Sequence, residues 1–294
     1  MTAARRWMRR MPAYAVLTAC AVVLLFPLYV TVVDSLHPIK ELVLEPPPSL
    51  WPSSPQWGNY FSSEGTAADS PVGRYLLNSV VVSTVITAGQ LITATLAAYA
   101  FAFLRFPGRN ALFTVFLATM MVPLEVAIIP NFQTMQWLDG HFRDLAWLSW
   151  TGIRWIDGYP GLVAPFLATG FGTFLLRQYF LTIPRDLRDA AEMDGYGHVR
   201  FLLQVVVPLA RGALATLAVF AFLQAWNQYL WPLLVTNDPD MRTVQIGIAS
   251  EAQNLERINV AFAGTVIAFL PMLLLVVVFQ RYLVRGLFGG TIKG

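Results

Sequence analysis

Ile183-Pro184-Arg185-Asp186-Leu187-Arg188-Asp189-Ala190-Ala191-Glu192-Met193-Asp194-Gly195 is dense in charge within a chain that mostly avoids it. Pro184 suits the first turn of a helix, where its missing N–H costs little, and Asp186 complements the positive helix start. Gly195 can then stop the helix. At helical spacing Leu187, Ala190, Ala191 and Asp194 share a broad side, and the two alanines let another backbone or a groove wall approach closely. Such a helix, followed by Gly197 and a turn into the next apolar run, would project as a knob that a partner can grip. A solvated loop with ordinary helix-favouring charges fits the same residues equally well. If the knob is gripped, its charges need complementary groups on leaving water, which favours a protein contact over a lipid contact.

Working outward, the charged stretch is flanked by apolar runs from about Gly161 to Phe180 and from about Phe201 to Trp226. Four further runs resemble them: Tyr14 to Val33, Leu76 to Leu104, Ala111 to Ile129 and Val260 to Gln280. A bilayer core about 30 Å thick takes about 20 apolar residues per helix, so the pattern predicts an all-α membrane protein with six transmembrane helices. The composition agrees: 56% of the 294 residues are hydrophobic and 13% charged, against about 25% charged in a soluble domain. Twenty basic and 17 acidic residues leave a formal net charge of +3, too small and scattered for a nucleic-acid surface. A single cysteine, Cys20, excludes a disulfide framework or a cysteine metal site within the chain, and His37, His141 and His198 form no visible metal cluster. Nineteen prolines and 20 glycines, several inside apolar runs, point to broken or tightly packed helices.

The first run follows Arg5, Arg6, Arg9 and Arg10 and reads as a retained anchor, since no convincing small-x-small cleavage site follows. With a cytoplasmic N-terminus, 14 of the 20 basic residues fall inside and 13 of the 17 acidic residues fall outside, the positive-inside bias. The chain then divides into a cytoplasmic tail over 1–13, a six-span domain over 14–280 and a cytoplasmic tail over 281–294. Arg105, Pro107, Gly108 and Arg109 form a short inner turn. Residues 35–73 read as an outer loop with limited regular structure, its Trp51 and Trp57 at the membrane interface. Residues 137–160 carry Trp147, Trp150 and Trp155 and read as an interfacial outer segment against lipid headgroups, with a substrate-facing lid as the alternative.

The run Asp189-Ala190-Ala191-Glu192-Met193-Asp194-Gly195, with Pro208-Leu209 beyond it, resembles the inner loop of binding-protein-dependent ABC import permeases. Leu76–Ser79, Met121–Val126, Trp226–Pro232 and Gln280–Leu287 extend the resemblance over most of the chain, toward the second permease of glycerol-3-phosphate importers and the smaller permease of maltose-type importers. The resemblance implies a type I ABC importer permease fold and a cytoplasmic coupling helix, 184–196, that docks in a cleft of an ATPase subunit. Its docking face would be Asp189, Ala190, Ala191, Asp194 and Gly195. The implied partners are a second, different permease subunit, two ATPase subunits carrying ATP and Mg, and an extracytoplasmic substrate-binding protein, in the bacterial inner membrane. The implied cargo is sn-glycerol-3-phosphate or a glycerophosphodiester such as glycerophosphocholine; a sugar, disaccharide or other polyol is the alternative. Motion of the docked helix would pass into the fourth and fifth spans. The chain departs from the pattern at Asp189, where glutamate is commoner, at Tyr196, where a small residue often follows the glycine, and in the Trp-containing insertion around 143–158.

The chain has no Gly-rich segment leading to a Lys and hydroxyl pair with P-loop spacing, so ATP is handled elsewhere. Asp34 and Glu125 lack a companion base or metal cluster, and no residue reads as catalytic. A membrane-bound enzyme acting on lipid or phosphate esters is the reading from outside the transporter class. Asn227, Gln228 and Tyr229 offer donors and acceptors where the fifth span can break before Pro232, a polar step for a translocation pathway, although partner helices would satisfy the same groups. Trp226 and Trp231 read as an aromatic belt or as apolar walls. Asn78 and Ser79 line the pathway or tie helices together. Pro123 and Glu125 mark a broken outer helix end, a gate or capping position rather than a phosphate site, which a carboxylate would oppose. His198 reads as an interfacial structural residue, Arg200 as the anchor of the fifth span, and Arg281 and Arg285 as headgroup anchors.

Overall fold

A computed structural model describes residues 3–44, 49–61, 72–143 and 154–288. The chain folds into helices α1 (Ala3–Asp34), α2 (Ile39–Val43), α3 (Gly58–Phe61), α4 (Val72–Phe103), α5 (Arg109–Ala118), α6 (Leu124–Arg143) and α7 (Tyr159–Val163). These are followed by α8 (Gly170–Phe180), α9 (Arg185–Met193), α10 (His198–Phe201), α11 (Val207–Leu209), α12 (Arg211–Trp226), α13 (Leu230–Val235), α14 (Val244–Ala252) and α15 (Ile258–Phe288). The expectations for Trp147 and Trp150 fall outside the described residues, as do those for the side chains of Arg281 and Arg285.

The fold is all-α, with three helices long and apolar enough to cross a bilayer unbroken: Met11–Asp34, Val72–Phe103 and Leu255–Gln280. The other three apolar runs are bent pairs, so the described residues supply between three and six crossings by length and composition. Arg109–Met121 and Glu125–Phe142 meet at 98°, Tyr159–Phe166 and Gly170–Phe180 at 45°, and His198–Leu209 and Arg211–Trp226 at 80°. Prolines account for two of the bends. Val122, ahead of Pro123, is extended at φ −80° and ψ 115°, because a following proline disfavours the helical region. Pro208 cannot donate to the turn before it, and the chain there passes through a π-turn, Leu202–Val206, before the bend at Ala210. The Tyr179 hydroxyl donates to the carbonyl of Leu209 at 2.8 Å and braces that bend.

Two compact units are formed, one of residues 1–73 and 247–270, the other of 74–246 and 271–294. In the first, α1 leaves most of its apolar surface uncovered within this chain; Val16, Leu24 and Val23 are between 63% and 74% exposed. After it, residues 35–44 and 49–61 are tied together by buried hydrogen bonds. His37 is fully buried, with Nδ1 2.7 Å from a Glu41 carboxylate oxygen and Nε2 3.0 Å from the Ser49 carbonyl. Asn59 donates to the carbonyls of Ser35 and His37 at 2.9 and 3.3 Å and accepts from Asn259 at 2.9 Å. Buried polar groups demand such partners, and here the chain supplies them locally.

The Ser53 hydroxyl and then His37 hold the Glu41 carboxyl below its ordinary value of 4.5. A depressed carboxyl pKa adds stability above the unfolded value, and that contribution is lost as pH falls through the folded value. Protection factors of residues 36–44 and 49–60, the observed exchange set against the intrinsic rate at each pH, should therefore fall as the pH drops below 4.5, and Glu41→Gln should show the lower protection already at neutral pH. Protection in Glu41→Gln equal to that of the unmodified chain at both pH values would refute the tie.

In the second unit two core clusters are found among the described residues. Ala94, Ala98 and Tyr99 of α4 pack with Leu176 and Phe180 of α8, Phe201 of α10 and Leu217 of α12. Val82 and Ile86 of α4 pack with Leu162, Ala225, Trp231 and Val235. Gly89 sits at the close approach of α4 to Leu167, whose side chain a Cβ placed there would overlap.

Candidate functional site

Helix α9 starts after Pro184, carries Asp186 in its first turn, and ends in a left-handed Gly195 at φ 78°. Gly195 N donates to Glu192 O at 3.0 Å and Tyr196 N to Ala191 O at 2.8 Å, the paired bonds of a Schellman cap. Tyr196, the departure from the family pattern, thus closes the cap with its backbone, while its ring takes the Arg200 guanidinium 4.1 Å from the centroid. Asp189, Ala190, Asp194 and Gly195 are exposed, together with Met193 at 89%. Ala191 departs from expectation. It is only 7% exposed and packs in the cluster that holds Tyr99, Phe180 and Phe201, so the helix uses its small side chain to approach its own fold. The face left open to a partner is Asp189, Ala190, Met193 and Asp194.

A second feature is a cleft of about 760 Å³ where α4, α6, α12 and α13 converge. Gln90, Glu125, Gln224, Asn227, Gln228 and Tyr229 supply its polar groups, and Phe166, Phe220 and Trp231 supply its aromatic walls. Glu125 lies in the first turn of α6, just past the break at Pro123, where a carboxylate suits the positive helix end. Asn227 caps α12; its amide donates to Leu223 O at 2.8 Å, and its oxygen lies 3.5 Å from Gln245 Nε2. The Gln228 oxygen is buried and has no hydrogen-bond partner among the described residues, an acceptor open to a passing solute or a partner helix. Pro232 is buried in the first turn of α13, where its lack of an N–H is harmless, so the chain breaks at 227–229 ahead of it. Trp226 and Trp231 are 1% and 2% exposed, core residues rather than an interfacial belt. Trp231 donates to Gly161 O at 3.0 Å.

Asn78 and Ser79 lie outside this cleft, and of their two readings the tie fits the geometry. Asn78 donates to the carbonyls of Asp240 and Arg242 at 2.8 and 2.9 Å and accepts from the Tyr159 hydroxyl at 2.8 Å. Ser79 Oγ accepts from Val244 N at 2.9 Å. With both side chains 1–2% exposed, no group is left for a solute. A tie of the same kind escaped the sequence reading at Asp157, a non-glycine residue at φ 56° whose carboxylate accepts from the backbone of Asn237 and Asp238. Gln90 was also missed; a lone amide inside an apolar run was the available signal.

Residues 90–289 match the model of the family described as binding-protein-dependent transport system inner membrane component. The chain belongs to this family. Among its curated relatives, the sn-glycerol-3-phosphate transport system permease protein UgpE of Pectobacterium atrosepticum is 38% identical over 270 residues, 90% of each chain. The protein of the same name from Agrobacterium fabrum is 34% identical over 285 residues, 95% of each. Among solved structures, a chain of a bacterial ABC transporter that imports the acidic polysaccharide alginate superposes with a TM-score of 0.75 at 22% identity, covering 96% of this chain and 98% of that one. At that identity the likeness speaks for the fold. The chain is thus an importer permease with the multi-span helical architecture of its family, whose members work with ATPase and substrate-binding protein partners.

Proposed function

We propose that the chain is one of two different permease subunits of an ABC importer in the bacterial inner membrane, with both termini cytoplasmic, and that it admits sn-glycerol-3-phosphate or a related glycerophosphodiester. The observation that carries the reading is the open acidic face of α9, Asp189, Ala190 and Asp194 on a helix closed by Gly195, in a chain 38% identical to a glycerol-3-phosphate permease. One of the two ATPase subunits grips that face. Closure of the two on ATP moves α9 and opens the pathway outward to a loaded binding protein; hydrolysis returns it inward. The solute crosses without a covalent intermediate, exchanging hydrogen bonds with Asn227, Gln228 and Tyr229. Pro123, Glu125 and Pro232 shape the breaks that let the cleft open and close.

One observation favours a neutral sugar or polyol as the second reading. Among the described residues, the cleft wall carries Glu125 and no lysine or arginine, so a phosphate would find its counter-charge on the other permease. The test is uptake by the complete complex in liposomes with sn-glycerol-3-phosphate, glycerophosphocholine and a neutral disaccharide, each with and without ATP. ATP-driven accumulation of the first or second supports the glycerophosphate reading, and accumulation of the disaccharide alone rejects it. Turnover of a glycerophospholipid by this chain without its partners would replace the importer by an enzyme. In the same assay Asn227→Ala with Gln228→Ala should lower uptake about tenfold, equivalent to about 1.4 kcal/mol, with ATPase attachment retained. Unchanged flux for every solute would remove these residues from the pathway.

A further inference from the structure

The motion expected to enter the fourth and fifth spans meets a break in each. Helix α8, which leads into α9, begins after the 45° bend, and α12, beyond it, begins after the 80° bend. Helix α4 is different: it runs 32 residues from Val72 to Phe103 with no proline inside. Its far end is fastened to the α9 region twice. Arg188 of α9 donates through Nη1 to the carbonyl of Phe103 while its Nε donates to Glu192 at 2.8 Å, which holds the guanidinium in place. Beyond the Gly195 turn, His198 Nδ1 and the Tyr99 hydroxyl share a hydrogen bond at 3.0 Å.

The chemistry of the fastening is that of a helix end. The last carbonyls of a helix have no partner within it and carry partial negative charge. Three guanidiniums from three other elements converge on this one. Besides Arg188, Arg177 of α8 donates to Phe101 O at 3.3 Å and Arg109 of α5 to Leu104 O at 3.1 Å. A planar guanidinium can bond a carboxylate and a carbonyl at once, which a lysine cannot do as rigidly. Thirteen residues back along α4, about 20 Å at 1.5 Å per residue, Gln90 lines the cleft and donates to Phe166 O at 2.9 Å. One turn nearer, Thr93 donates to Leu167 O at 2.7 Å. The same unbroken helix therefore holds α9 at its C-terminal end and the cleft wall nearer its middle.

We propose that α4 carries the displacement of α9 to the cleft, and that Arg188 is the positioning residue that fastens the two. The proposal rests on the reading that an ATPase grips α9. Tyr99 and His198 form the second fastening, and the bends in the fourth and fifth apolar runs absorb motion rather than relay it. An unbroken helix moves as a rod, whereas a bend gives way at its hinge.

The test uses the complete complex with Cys20 replaced by serine and spin labels at Leu96 of α4 and at Arg185 in the first turn of α9, both exposed and both outside the docking face. In the otherwise unmodified protein the distance between the labels should stay within about 1 Å between the nucleotide-free and ATP-bound states. In R188Q it should change by more than about 2 Å, the scale of helix shifts in switching proteins. Solute taken up per ATP hydrolysed should fall about tenfold in R188Q (about 1.4 kcal/mol), recover partly in R188K, and fall further in R188Q combined with Y99F. Y99F alone, which keeps the ring in the core, guards against R188Q simply misfolding and should also lower the ratio. The proposal is overturned if the label distance changes by more than about 2 Å in the unmodified complex, or if R188Q and Y99F both keep the full uptake per ATP. Failure of the unmodified complex to retain its ATPase would sink the importer reading and this one with it; retention with unchanged coupling in both variants sinks this one alone.

Discussion

Replacing Asn78 by alanine is expected to destabilise the protein by about 3 kcal/mol, since leaving a buried polar group unpaired costs about 1–3 kcal/mol. The side chain is 1% exposed and satisfies three partners, the carbonyls of Asp240 and Arg242 and the Tyr159 hydroxyl. Alanine fills none of these roles and cannot admit water without opening the packing around it. At about 2–4 °C per kcal/mol for a chain of this size, thermal unfolding in detergent should begin roughly 6–12 °C lower. Aspartate should be worse than alanine: it can still accept from Tyr159, but it turns an oxygen toward two carbonyls that need donors. Tyr159→Phe, which removes one bond from a half-exposed hydroxyl, should cost about 1 kcal/mol. Alanine and aspartate variants that both unfold where the unmodified protein does would show that the 240–242 segment is held by something other than Asn78.

The second large effect is expected on coupling. Asp194 is exposed at the end of α9, so Asp194→Ala should change stability by no more than about 0.5 kcal/mol. Against an ATPase it removes a charge whose loss from an interface costs about 2 kcal/mol or more, about thirtyfold in attachment. Gly195→Val should weaken attachment by another route. Valine at φ 78° carries the left-handed penalty of about 1–2 kcal/mol and loosens the last turn that presents Ala190, Met193 and Asp194. The two are distinguishable by helix content and by protease access at 184–196, normal in Asp194→Ala and altered in Gly195→Val. Normal ATPase attachment and normal coupled transport in Asp194→Ala would remove Asp194 from the docking surface.

The features legible in the sequence were those set by near neighbours. Apolar runs of about 20 residues located the membrane-length segments, because bilayer thickness fixes the helix length required. Pro123 marked a place where a helix must deviate, though not the 98° of the bend, while the 80° bend after Pro208 lies inside what reads as one apolar run. Pro184, Asp186 and Gly195 bounded α9 through local capping chemistry. The polar step at Asn227, Gln228 and Tyr229 was visible as amides in an apolar run and now borders a cleft.

Less legible was whatever depends on residues far apart in the chain. Asn78 reads the same whether it faces a pathway or a loop 162 positions away, and Ala191 the same whether it meets a partner or its own core. The buried network around His37, Asn59 and Asn259 joins residues 22 to 200 positions apart, which no local pattern of prolines and glycines implies. Local periodicity and capping are written in a few consecutive residues, so the sequence by itself determined the helices, their apolar character and the acidic ridge of α9. Only the tertiary structure decided which of those helices stay straight, which polar groups are already satisfied, and that Arg188 spends its hydrogen bonds on the end of α4, because those outcomes depend on which donors and acceptors the fold brings within 3 Å.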